Sequence, residues 1–90
     1  MDKDFVKYLT NKSSTASYLF SCCDFLRVAA DKLIEMSAYE DTGLSKLELQ
    51  DIGHLGFEVH DLRAKVAGIA VGISEDIEFD LKNTHQKKQS

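Results

Sequence analysis

The stretch LSKLELQDIGHLGFEVHDLRAKVAGIAVGI, residues Leu44 to Ile73, decides the fold. Ile52, Leu55, Val59, Leu62, Val66, Ile69 and Ile73 recur in it at alternating spacings of three and four. That is the period of a helix packed lengthwise against other helices. The stretch also carries its own start signal. Ser45 and Glu48 have the spacing of a capping box, and Leu44 and Leu49 stand where a hydrophobic staple would close. A second helix is therefore predicted from about Lys46 to at least Gly72.

Upstream, a first helix is predicted from about Thr15 to Tyr39. Between Tyr18 and Met36 there are 13 apolar and 6 polar residues. Five of the polar ones (Ser21, Asp24, Arg27, Asp31, Glu35) fall in one narrow strip, so the helix is apolar over most of its circumference. A surface helix needs an apolar stripe only somewhat wider than ~100°. One hairpin partner cannot cover so much, and a second copy of the chain is the expected cover. The intervening Glu40-Asp41-Thr42-Gly43 reads as a turn, with Gly43 as a left-handed helix stop. So short a connection implies antiparallel neighbours.

The predicted fold is all-α: an antiparallel two-helix hairpin with short flanking helices, dimerising into a four-helix bundle. The expected core and dimer residues are Leu19, Cys22, Leu26, Leu33, Ile52, Leu55, Val59, Leu62, Val66 and Ile69. Residues 3–10 fit a short helix or an arm, set off by the polar break Asn11 to Thr15. Ser74-Glu75-Asp76 looks like a fresh helix start. Ala64, Gly68 and Gly72 form a ridge of small residues, which fits close approach of another helix, or fraying and a kink. The β-branched, glycine-rich segment 66–74 also fits a strand. Residues 1–82 read as one domain and 83–90 as a disordered polar tail.

Ninety residues with 43% hydrophobic and 29% charged content suit one folded domain. A monomer of this size buries only about 60–65% of the surface its unfolded chain exposes. The absence of proline suits long helices. The net charge is −4, and the chain before Lys82 holds 15 acids against 8 bases. Such an acidic body disfavours nucleic acid, which needs Lys and Arg clusters. The start Met1-Asp2-Lys3-Asp4 does not read as a signal peptide, and the longest apolar or glycine run, Val66 to Ile73, is too short to span a bilayer. Cys22 and Cys23 are adjacent, neither a disulfide framework nor a zinc motif. The expected location is cytoplasmic.

Asp51, His54, Glu58 and Asp61 share one helix face, and Asp-x-x-His has the spacing of a bundle metal ligand pair. They flank the apolar stripe and should face water, so no metal or cofactor is expected. No serine or cysteine has a base at readable spacing, and no enzymatic activity is expected. The candidate partner surface is Asp51, Glu58, Asp61, Glu75, Asp76, Glu78 and Asp80, which suits a protein with a basic surface.

The layout resembles the small plasmid hairpin proteins that dimerise and clamp paired RNA loops. Those present a basic helix face, whereas the first helix here has one arginine and one lysine among several acids. In size and acidity the chain also resembles small helical inhibitors from phage and mobile elements, without a shared motif. The expected function is a non-enzymatic, protein-binding regulator or inhibitor acting as a homodimer. The alternatives are a small-molecule-binding bundle, with a pocket beside Ala64, Ala67, Gly68 and Gly72, or an RNA-binding hairpin dimer.

Overall fold

Ser45 and Glu48 form the reciprocal cap that their spacing predicts. The Glu48 N–H donates to Ser45 Oγ at 3.1 Å, and the Ser45 N–H to Glu48 Oε1 at 3.3 Å. From this cap, helix α2 runs Lys46–Gln89. Helix α1 runs Lys3–Ser37 and is capped by Asp2, whose Oδ1 accepts from the Asp4 N–H at 3.2 Å. The computed structural model describes residues 2–89, and their side chains as far as residue 84.

The two helices form an antiparallel hairpin, and the described residues contain no strand. Its Cα trace measures 68 × 18 × 12 Å. Two helices lying side by side make a single layer.

The flanking helices expected at either end are instead continuations of the two long ones. Asn11 to Thr15 does not break α1, because Thr15 Oγ1 donates to the Asn11 carbonyl one turn back at 2.9 Å. The hydroxyl is satisfied inside the helix rather than at a cap. Ser74-Glu75-Asp76 likewise lies within α2, as does all of 66–74, the alternative strand. The polar segment 83–90 continues the helix as far as Gln89; its side chains from residue 85 on lie outside the described residues.

The turn differs in detail from its sequence reading. Helix α1 ends at Ser37, with the Ala38 N–H donating to the Glu35 carbonyl and the Tyr39 N–H to the Met36 carbonyl, each at 3.1 Å. Gly43 is therefore not its stop. It lies in the connection at φ 76°, the left-handed region, and redirects the chain toward the Ser45 cap.

Small residues hold the two helices together. The buried hydrophobic positions are Ala16, Cys23, Ala30 and Ala70, and no large side chain among the described residues is fully buried. Ala16, Cys23 and Ala30 stand seven residues apart in one row along α1, with the half-buried Ser37 next in line. Across from them, Gly53 and Gly56 of α2 are buried. A Cβ on Gly56 would lie 2.7 Å from Ile34 Cγ1 and 3.0 Å from the Ala30 carbonyl oxygen, so the backbones nearly touch. Further along, Cys23 Sγ lies 3.7 Å from the Arg63 carbonyl oxygen.

Candidate functional site

Two cross-helix contacts assign each row of side chains to a side of the layer. Lys12 Nζ lies 3.9 Å from Asp76 Oδ2. Lys12 continues the row Leu19, Leu26, Leu33 at seven-residue spacing, and Asp76 continues Leu55, Leu62, Ile69. These two rows therefore share one side. On the other side, His60 Nε2 lies 3.1 Å from Asp31 Oδ1.

The first side is the apolar one. Along its seam edge, Leu19, Cys22, Leu26 and Leu33 of α1 and Ile52, Val59 and Val66 of α2 are half-buried. The heptad stripe is thus split. Every second member packs at the seam, while Leu55, Leu62 and Ile69 stand out from it, 50%, 50% and 60% exposed. On α1, successive steps of three from Leu19 lead outward through Cys22 to Phe25. Tyr18 and Phe25 project furthest, 72% and 77% exposed. Between Glu48 and Asp76 the two α2 rows of this face hold only Ile, Leu and Val; opposite them, between Thr15 and Met36, the only charge is Lys32.

Within a single chain none of the expected core and dimer residues is fully buried: seven are half-buried, and Leu55, Leu62 and Ile69 are exposed. Cys23 rather than Cys22 is the buried cysteine, and both are free thiols. The row of small residues through Ala16, Cys23 and Ala30 escaped the sequence reading, although its seven-residue repeat is visible there. Of the ridge Ala64, Gly68, Gly72, the two glycines face open space inside the chain: a Cβ on either would have no neighbour within 4 Å.

The acidic surface is also split. Asp51, Glu58, Asp61, Glu75 and Glu78 are exposed, with the first three on the outer side of α2. Asp76 belongs to the apolar side through its pairing with Lys12, and Asp80 is half-buried. Lys12 also lies over the Tyr8 ring, 4.9 Å from its centroid. Its pKa is raised, first by the Tyr8 hydroxyl and further by Tyr8, Asp76 and Asp80 charge. Near the turn, Tyr39 donates its hydroxyl to Glu35 Oε1 at 2.6 Å, which raises the phenol's pKa.

Two grooves flank the His60 side. One, of about 340 Å3, is lined chiefly by Ser37, Leu49, Gln50, Gly53, His54 and Phe57. The other, of about 230 Å3, lies between Ser13, Ala16, Ser17, Phe20, Ser74 and Ile77. Ala64, Ala67, Gly68 and Gly72 line neither. Among the described residues no three His, Cys, Asp or Glu side chains are grouped to hold a metal ion, and no helix is long and apolar enough to cross a membrane. Compared with protein-family models, curated proteins and solved structures, the chain matches none.

Proposed function

We propose that the protein is a non-enzymatic regulator or inhibitor that acts by binding another protein, and that its working form is a homodimeric four-helix bundle. The supporting observation is a one-layer hairpin in which, among the described residues, every large apolar side chain is at least partly open to solvent. Hydrophobic burial is the main favourable term in folding, and a small domain has little stability to spare. A chain that fully covers only alanine, cysteine and glycine within itself, and leaves its leucines, isoleucines and valines half-buried or exposed, is completed by association.

The partner surface in this reading is the outer side of α2, where Asp51, Glu58 and Asp61 are exposed, with Glu75 beyond them. It suits a protein with a basic surface. The test is affinity purification of the tagged protein from its native host, followed by binding measurements with the recovered partner. A partner captured equally by the parent and by a Glu58→Lys, Asp61→Lys double variant would remove the acidic surface from the proposal. Capture of RNA with a steep loss of binding in salt would replace a protein partner by a nucleic acid.

A further inference from the structure

The exposed apolar side of the hairpin is long, continuous and almost free of charge. Its outermost side chains are Tyr18 and Phe25 on α1 and Leu55, Leu62 and Ile69 on α2. We infer that this side, and not the His60 side, is the self-association face, occupied by the same face of a second copy of the chain. The inference rests on the homodimer reading above and adds to it the surface and the symmetry.

Three observations select this occupant. The first is area. About twenty residues of each helix, roughly 30 Å long at ~1.5 Å per residue, spread across the 18 Å breadth of the Cα trace. The flat projection is on the order of 500 Å2, and the relief of aromatic and leucine side chains raises the true surface toward the ~800 Å2 per partner of a stable interface. A short peptide or a small ligand would leave most of it wet.

The second is charge. Each copy carries a net charge of −4, so two copies repel least when they meet on surfaces without acids. On α2 the face is bounded by Glu48 at one end and Asp76 at the other, with no charge between them in either row. The His60 side, by contrast, carries Asp31, and both of its grooves include polar side chains. The outer side of α2 carries Asp51, Glu58 and Asp61.

The third is shape. A two-fold dimer uses one self-complementary patch on both copies. A flat layer of two antiparallel helices meets that condition, because stacking two such layers face to face produces four helices around a new core. Leu55, Leu62 and Ile69 then enter that core beside their half-buried partners Ile52, Val59 and Val66. The heptad that is split within one chain is completed by the second.

The experiment is mass by light scattering, over a dilution series and in 0.1 and 0.5 M salt, for the parent and for Phe25→Asp, Leu62→Asp and Phe57→Asp. Phe57 is exposed on the His60 side and serves as the control. The parent is expected at twice 10.1 kDa, and Phe57→Asp at the same mass. Phe25→Asp and Leu62→Asp should each weaken self-association at least a hundredfold, and higher salt should not weaken the parent dimer. Circular dichroism checks that the variants remain helical. If either aspartate unfolds the chain, Tyr18→Ser and Phe25→Ser together replace it, and loss of the dimer with helicity retained supports the face.

A parent that stays at one chain mass at high micromolar concentration overturns the face and the homodimer reading together. A dimer that survives both substitutions on the apolar side, or that is lost in Phe57→Asp, overturns the face and leaves the homodimer standing. A dimer that dissociates in 0.5 M salt also overturns it, because a contact without acids has no charge pairs to screen.

Discussion

Gly56 of α2 lies directly against Ile34 of α1, with only 2.7 Å between Ile34 Cγ1 and the place a Cβ would occupy. The Ala30 carbonyl oxygen is 3.0 Å from the same point, so sliding the isoleucine aside does not make enough room. The glycine is what lets the backbones come together at this level.

Gly56→Ala should therefore lower the melting temperature, even though alanine is the better helix former by about 1 kcal/mol. Gly68→Ala is the matched comparison, since nothing lies within 4 Å of that Cβ position. It should raise stability by about 0.5–1 kcal/mol, the ordinary gain in an exposed helix interior. Thermal melts of both variants check the pair, and equal shifts in the same direction would contradict the close approach.

The contrast between these glycines also shows where sequence reading stopped. The period-seven apolar stripe announced a long α2, and Ser45 with Glu48 announced its first turn, because both signals act within a single helix. Which helix face meets the other chain segment is a property of two helices at once. The bulkiest stripe, through Leu55, Leu62 and Ile69, looked like the seam, yet the seam belongs to the smaller side chains, Ala16, Cys23, Ala30, Gly53 and Gly56. Close backbone approach favours small residues, and a hydrophobicity pattern gives glycine and alanine little weight. The polar break at Asn11 to Thr15 misled for another reason: a threonine hydroxyl can cap a helix or bond back into one, and Thr15 bonds back to the Asn11 carbonyl. The acidic candidate surface was legible as an exposed stripe, but the pairing of Asp76 with Lys12 needed both helices in place.

Val66 is half-buried at the seam edge, whereas Asp61 is exposed on the outer side of α2. Val66→Asp should cost about 2 kcal/mol or more, the penalty of pressing an unpaired carboxylate into an apolar site. Asp61→Ala should change stability by less than about 0.5 kcal/mol. Urea denaturation of the two variants at one protein concentration is the measurement; a Val66→Asp midpoint equal to the parent's would show that this row faces water.

The Tyr39 hydroxyl bond to Glu35 carries a pH signature. The folded pKa is raised, so the bond's small contribution is complete below the unfolded value of about 10 and is lost as pH rises through the folded value. In an ultraviolet titration of the three tyrosines, one should ionise later than an ordinary phenol. Glu35→Gln should bring that step back down, and a titration unaltered by it would dissociate the shift from this contact.

For a basic protein partner, reversing Glu58 and Asp61 to lysine should reduce the association rate more than it raises the dissociation rate, and added salt should act in the same direction. Surface plasmon resonance separates the two rates. Binding that is indifferent to salt and to both reversals would move the contact to the apolar end of the hairpin, near Phe5, where Phe5 and Tyr8 stack at 6.4 Å.

The seam joins residues ever farther apart in sequence as it leaves the turn, from Gly53 beside Ser37, through His60 and Asp31, to Asp76 and Lys12. Each contact closes a longer loop than the one before it, and the entropy of that closure grows with loop length. The hairpin is thus built to zip from Ser45 and Gly43 outward and to unzip from the end that carries both termini. Opening should be graded along the 68 Å axis, so amides near Gly53 exchange with solvent last and those near Lys12 and Asp76 first. A protease working on the native chain would meet the Lys12 end long before it could reach Arg63.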